Sequence, residues 1–189
     1  MITVYTISGA PRPWRVLLGR CFKGLPFETI TLKASEGEHQ TKEFLSLNPR
    51  GTVPVLVDGS VTIRDSLAAL AWLDCSYPDP PIFGKISDQT AFVWQQTTEC
   101  ADYLRAAIDR VLTPIFFQNA TSASPELLTS AYNAKVELAG LETALGTRSF
   151  LSGDSPSAAD AVAFPEVRLL QRASDTRAEI IENLGLLNF

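Results

Sequence analysis

Residues Ile2 to Ile7 (Ile-Thr-Val-Tyr-Thr-Ile) are β-branched and aromatic, with apolar positions recurring every second residue, which predicts a strand. The run Ser8-Gly9-Ala10-Pro11-Arg12-Pro13 breaks it. Trp14, Leu17, Leu18, Cys21 and Phe22 then recur at helical spacing, and Gly24 closes that helix. Phe27 to Leu32 alternates again as a second strand. A polar stretch from Lys33 to Thr41 leads to a short helix or turn around Phe44 and Leu47. Val53 to Val57 and Val61 to Ile63 read as strands joined by a turn at Asp58-Gly59-Ser60, and Ser66 to Leu73 as a helix. The order βαβ, β-hairpin, α predicts a small mixed sheet with helices packed on it.

The pattern changes after Tyr77-Pro78-Asp79-Pro80-Pro81, a stretch that cannot continue a helix. Everything beyond it is helical in period. One long amphipathic run covers about Asp88 to Leu112, with Ala91, Phe92, Cys100, Leu104, Ile108 and Val111 as core candidates. A second covers Pro125 to Leu145 and ends at Gly146. A third starts at Ser157, and a short last one lies near Glu179 to Leu184. The expected organisation is an α/β domain over residues 1–76, a linker over 77–86, and an all-α domain over 87–189.

Composition narrows the classes. The 189 residues carry 16 Lys and Arg against 21 Asp and Glu, a net charge of −5. That balance is poorly suited to binding a phosphate backbone. Apolar runs are too short to cross a bilayer, and the opening residues lack a secretory leader's basic and apolar regions. The expectation is a cytoplasmic protein with neither nucleic acid nor membrane as partner. Three cysteines without close spacing argue against a disulfide framework or a zinc cluster, and the single histidine, His39, against a multi-histidine metal site. Cys21, Cys75 and Cys100 sit among apolar neighbours in helical stretches and read as small core residues.

The segment Asn48-Pro49-Arg50-Gly51-Thr52-Val53-Pro54-Val55-Leu56 places a proline inside an apolar strand. Proline there removes a ladder donor. It is tolerated if the Val53–Pro54 bond is cis and the preceding backbone groups turn toward a ligand. Together with Arg64-Asp65-Ser66 opening a helix, this segment resembles the glutathione site of the glutathione transferase superfamily. The resemblance extends to Gly37-Glu38-His39-Gln40, to Glu43-Phe44-Leu45, and to Phe150 through Asp160, which is similar to that superfamily's capping motif in the second domain. Ser157 and Asp160 themselves read as a capping box.

The resemblance implies a thioredoxin-like domain followed by a helical-bundle domain, with glutathione as co-substrate. It also implies roles for individual positions. Asp65 and Ser66 match the pair that receives the γ-glutamyl end, where a helix N-terminus favours a carboxylate. Val53 matches the residue whose backbone pairs with the cysteinyl moiety, held outward by Pro54, and Thr52 a further contact. His39 and Gln40 match a pair that binds the glycyl carboxylate, with Gln40 standing where relatives often carry lysine.

At the position where such enzymes carry a catalytic Tyr, Ser or Cys, this chain has Ala10. Three sources of stabilisation for the thiolate stay open: the Arg12 side chain, ranked first, the Ser8 hydroxyl, or backbone N–H groups at the helix start. Tyr5 reads as a packed strand residue. The resemblance implies a second substrate that is a small hydrophobic electrophile, in an interdomain pocket with Tyr103, Arg105, Phe116 and Phe117 as candidates. The short second half, ending Leu186-Leu187-Asn188-Phe189, implies a more open pocket. A homodimer is implied as well. The resulting expectation is a detoxifying glutathione transferase. The alternatives are a non-catalytic glutathione-binding or protein-interaction member of the superfamily, or a specialised isomerase, dehalogenase or ether-cleaving enzyme.

Overall fold

Strand β1 (Ile2–Ile7) seals Ile2 and Val4 on one side and leaves Tyr5 and Ile7 half-buried on the other. In the computed structural model, which describes residues 1–186, it is an inner strand of a four-stranded sheet of order β2-β1-β3-β4. Strand β2 (Phe27–Leu32) runs parallel to β1, and β3 (Val55–Asp58) runs antiparallel to it. Strand β4 (Val61–Ile63) pairs antiparallel with β3. Both faces of the sheet are covered. Helices α1 (Pro11–Phe22) and α3 (Ser66–Ser76) contribute Val16, Ala69 and Leu73 to a core with Ile2, Val4 and Leu56. Helix α2 (Lys42–Leu47) sets Phe44 against Leu32 and Val55 on the other face, with the Tyr5 and Phe44 ring centroids 5.6 Å apart. Each fully buried aliphatic side chain here is worth about 1.5–3 kcal/mol.

Two boundaries differ from the expected ones. Helix α1 begins at Pro11 rather than Trp14. Proline breaks a helix only in its interior; in the first turn its missing N–H has no intrahelical acceptor to lose, and its fixed φ suits the helix. Strand β3 begins at Val55, because Pro54 has no N–H to give to a ladder; the Val53–Pro54 bond is cis. The polar stretch 33–41 forms two short 3₁₀ turns, Ala34–Glu36 and Glu38–Gln40.

Lys23, just past α1, has a fully buried side chain. Its ammonium donates to Asp74 Oδ1 at 2.7 Å and to the Pro80 carbonyl at 2.6 Å. Asp74, on α3, also accepts from the Ile82 and Phe83 amides at 2.8 and 3.2 Å. One ion pair thereby anchors the proline-rich stretch to both helices. The core reading of the cysteines holds for Cys100 alone, since Cys21 and Cys75 are exposed. Both lie on turns of α1 and α3 that face away from the sheet.

Contacts divide the chain into two units, Met1–Thr90 and Ala91–Phe189. The second is helical. Helix α4 (Ser87–Glu99) continues through a π-helical turn, Cys100–Leu104, into α5 (Arg105–Phe117). Val93, Thr97, Cys100, Leu104, Ile108 and Val111 face inward. Ala91 and Phe92, expected in the core, are exposed: the buried stripe runs through the polar Thr97, whose hydroxyl donates to the Val93 carbonyl at 2.7 Å and so hides its polarity. Helices α6 (Pro125–Leu145), α7 (Ala158–Thr176) and α8 (Ala178–Asn183) complete the unit. Asp160 in the first turn of α7 accepts from the Ser157 amide and hydroxyl at 2.8 and 2.7 Å and from the Leu151 amide at 2.8 Å. Residues 187–189, part of the expected open pocket edge, lie outside the described residues. Among the described residues no helix is long and apolar enough to cross a membrane.

Removing one partner of a buried ion pair leaves the other charge uncompensated. Asp74→Ala is expected to cost about 3 kcal/mol, read as a lowered urea midpoint, whereas the double replacement Lys23→Met with Asp74→Asn, which leaves no unpaired charge and keeps a carbonyl acceptor for the Ile82 and Phe83 amides, costs less.

Candidate functional site

Strand directions bring four segments to one end of the sheet. The parallel register Ile7↔Leu32 puts the ends of β1 and β2 side by side. The antiparallel register Tyr5↔Val55 puts the start of β3, and the loop before it, at that same end. Leu56↔Ile63 returns β4 there too, so Arg64-Asp65-Ser66 emerges beside them. Ser8 to Arg12, His39-Gln40, Thr52 to Pro54 and Asp65-Ser66 are therefore neighbours by topology, although they lie far apart in sequence.

The loop into β3 is organised by Asn48, which is wholly buried. Its Nδ2 donates to the Thr52 carbonyl at 2.6 Å and to Thr52 Oγ1 at 3.1 Å, and its Oδ1 accepts from the Arg50 amide at 3.2 Å. The Asn48 carbonyl accepts from the Gly51 amide at 2.9 Å. Gly51 has φ +61°, and a Cβ there would sit 2.3 Å from Gln40 Nε2 and 3.0 Å from the His39 carbonyl. Only glycine lets the His39-Gln40 turn lie this close to the loop. His39 is half-buried and Gln40 exposed, and among the described residues the buried His39 Nδ1 has no hydrogen-bond partner.

Asn48 belongs to the quoted motif, yet the sequence alone assigns it no task. The available signal is that an asparagine side chain readily bonds backbone two residues on and so shapes a turn. Thr52 is exposed, Val53 half-buried and Pro54 buried. Among the described residues the Val53 N–H and C=O have no backbone partner. They are a donor and an acceptor left over at the end of a sheet, as strand addition requires.

Asp65 does more than the motif implied. It is the N-cap of α3, and its Oδ1 accepts from the Leu67 and Ala68 amides at 2.9 and 3.0 Å. Oδ2 takes no part in the cap, and Ser66, the first residue of the helix, is 2% exposed. At the start of α1 the Ala10 amide donates to the Ile7 carbonyl at 3.1 Å, and Gly9 takes φ +78° in the turn. Ala10 is the N-cap and supplies no side-chain cap. Ser8 and Arg12 are both exposed. This end of the sheet thus offers backbone pairing groups, the Asp65 carboxylate, two helix N-termini and the His39 imidazole, an arrangement suited to an extended ligand carrying both charges.

The second unit holds the four residues expected near an electrophile. Tyr103 and Phe117 are 64% and 83% exposed, and Phe116 is half-buried. Arg105 is tied down: its Nε donates to Asp109 at 2.6 Å and its Nη1 to the fully buried Glu166 at 2.9 Å. Burial pulls the Arg105 pKa down, but the two carboxylates outweigh it and hold it above its ordinary value.

Asn48→Ala removes three hydrogen bonds around one buried side chain and strands the Thr52 carbonyl. A loss of about 2 kcal/mol is expected in chemical denaturation, against under about 1 kcal/mol for Thr52→Val, which removes only a hydroxyl acceptor.

The glutathione S-transferase N-terminal domain family matches residues 10–75, which span all of these segments except Ser8 and Gly9. Glutathione S-transferase 1 of Dianthus caryophyllus is 28% identical over 87% of this chain and 75% of that one. Glutathione S-transferase F9 of Arabidopsis thaliana is 32% identical over 81% of this chain and 74% of its own length. A crystal structure of a glutathione S-transferase from the Antarctic clam Laternula elliptica superposes with a TM-score of 0.81 at 28% identity, over 98% of this chain and 87% of that one. Sheet order, capped α3, the proline-entered β3 and relatives matching along most of their length agree: the chain belongs to the glutathione S-transferase family.

Proposed function

We propose that this transferase binds glutathione along the sheet end just described and delivers its thiolate to a small hydrophobic electrophile. The observation that carries the reading is Val53, whose unpaired N–H and C=O stand between a capped helix start and the His39-Gln40 turn. The cysteinyl moiety pairs with Val53 as an added strand, with Pro54 fixing the direction of approach and Thr52 alongside. The γ-glutamyl carboxylate takes the Ser66 amide and the positive end of α3, and the α-ammonium takes Asp65 Oδ2. His39 and Gln40 receive the glycyl carboxylate. This places the sulfur by the start of α1, near Ser8, Ala10 and Arg12.

A free thiol has a pKa of about 8.5, so most glutathione is protonated at neutral pH. The site's chemical work is to raise the thiolate fraction and to hold it beside its partner. The thiolate sulfur then forms a bond to an electrophilic carbon, while the electron pair of the broken bond leaves with the departing group or moves into the acceptor and is protonated by water. Arg105 is already committed to Glu166 and Asp109, so Tyr103, Phe116 and Phe117 are the better candidates for apolar contacts with the electrophile. We place the protein in the cytoplasm as a homodimer with a role in detoxification, in keeping with its family.

Asparagine caps a helix about as well as aspartate but carries no charge. Asp65→Asn is therefore expected to keep the melting temperature within about 2 °C while weakening glutathione binding about tenfold, roughly 1.4 kcal/mol by titration calorimetry. Arg168→Ala, on the exposed side of α7, is the control and leaves the affinity unaltered. Absence of wild-type binding at millimolar glutathione would refute the reading. Binding without turnover on a panel of electrophiles would assign the chain a binding role instead.

A further inference from the structure

A cavity of about 330 Å³ is formed wholly within the second unit. One wall is the end of α4 with the π-helical turn, which supply Gln96, Glu99 and Leu104. The other is α6, which supplies Glu137, Gly140 and Leu141. The Arg105 amide donates to the Cys100 carbonyl, one residue further back than in an α-helix, so the helix is widened along this wall. Turns of this kind are rare and frequently mark functional sites.

Gly140 points the same way. Glycine inside a helix is destabilising relative to alanine, so it calls for a reason. At Gly19 the reason is packing, since a Cβ there would lie 2.1 Å from Leu70 Cδ2. At Gly140 a Cβ would meet nothing within 4 Å, and the missing side chain enlarges the cavity instead of fitting a neighbour.

The lining is rich in acceptors. Glu99 and Glu137 are half-buried on opposite walls, and among the described residues neither has an ion pair. Gln96 is 9% exposed. Its Nε2 donates to Glu99 Oε2 at 3.3 Å, which orients the amide and leaves Oε1 without a hydrogen-bond partner among the described residues. A buried acceptor left in that state is costly. Arg148 does not neutralise this set: it donates to the Ala144 carbonyl and lies 5.9 Å from the Phe92 ring centroid.

We propose that this cavity binds a primary ammonium carried on a small apolar body, a class of ligand unrelated to the glutathione site. A primary ammonium has three N–H donors, and Gln96 Oε1, Glu99 and Glu137 are three acceptors to receive them. Bonds from an ammonium to carboxylates are the strong ones. Leu104 and Leu141 provide apolar contact for the body of the ligand. The volume is at the small end for ligand sites, which suits a single ring.

The probe is benzylammonium chloride, titrated into the full chain and followed by nuclear magnetic resonance at the Gln96 side-chain amide and the Gly140 amide. Saturable shifts at both are expected. Benzyl alcohol has the shape without the charge, and benzyltrimethylammonium the charge without N–H donors. Each is expected to bind at least about tenfold more weakly, the scale of one hydrogen bond to a charged group. Glu137→Gln is expected to weaken benzylammonium about tenfold and to leave glutathione affinity unaltered. Gly140→Leu, which fills the cavity, abolishes the shifts while the circular dichroism spectrum is kept, and it decides the matter should Glu137→Gln fail to fold.

No saturable shift in the wild-type chain, or equal binding of either analogue, overturns the proposal. So does benzylammonium binding that survives Gly140→Leu. A changed oligomeric state of Glu137→Gln in light scattering would assign the cavity to a contact between copies of the chain, and overturns it as well.

Discussion

The antiparallel pairing of β3 with β1 is the constraint on which the site depends. Its register, Tyr5↔Val55, decides that the loop entering β3 lies at the end of β1 from which α1 departs. A one-residue slip would turn Val55 and Leu56 to the opposite faces, exchanging the two cores on either side of the sheet. The register is thus held by burial on both faces, with Leu56 packed beneath α1 and α3 and Val55 beneath Phe44. Core packing and site geometry are consequences of one choice. Asn48 then shapes the loop that this register delivers, and Gly51 lets the neighbouring turn close on it.

The proposed glutathione site is built almost wholly from backbone groups and helix ends. Val53 offers an amide and a carbonyl, Ser66 an amide, and the start of α1 an amide, whereas the charged side chains are few and mostly solvated. This suits a chain of net charge −5 that must accept a tripeptide bearing two carboxylates. Cations spread over the surface are not needed when fixed dipoles are aimed at the ligand. It also explains why Asp65 serves two ends at once. Its Oδ1 stiffens α3, and the same fold constraint presents Oδ2 at a defined place.

Strands and helices were legible wherever one face of an element is buried and the other wet. Periodicity reports that directly, so β1, α6 and the two-part architecture could be read from the residues. The start of α1 was not, because proline signals a break in the interior and a beginning in the first turn, and pattern alone does not say which. Ala91 and Phe92 were expected inside and Thr97 passed unnoticed for a related reason: a threonine that bonds its own helix hides its polarity, and an exposed aromatic mimics a core residue. Cys21 and Cys75 sit among apolar neighbours in sequence yet point to solvent. The motif singled out Val53, Pro54, Asp65 and Ser66, which the sheet register gathers at one end, but the tasks of Asn48 and of Asp65 Oδ1 depend on atoms brought together by the turn and became visible only in three dimensions.

The proline pair at the start of α1 has a spectroscopic consequence. Amide-detected nuclear magnetic resonance records no signal from Pro11 or Pro13. The Arg12 resonance therefore stands isolated between those of Ala10 and Trp14, the one amide reporter across that turn. Its chemical shift and its exchange with water form a natural gauge of whatever occupies the head of α1, and no label needs to be introduced to read it.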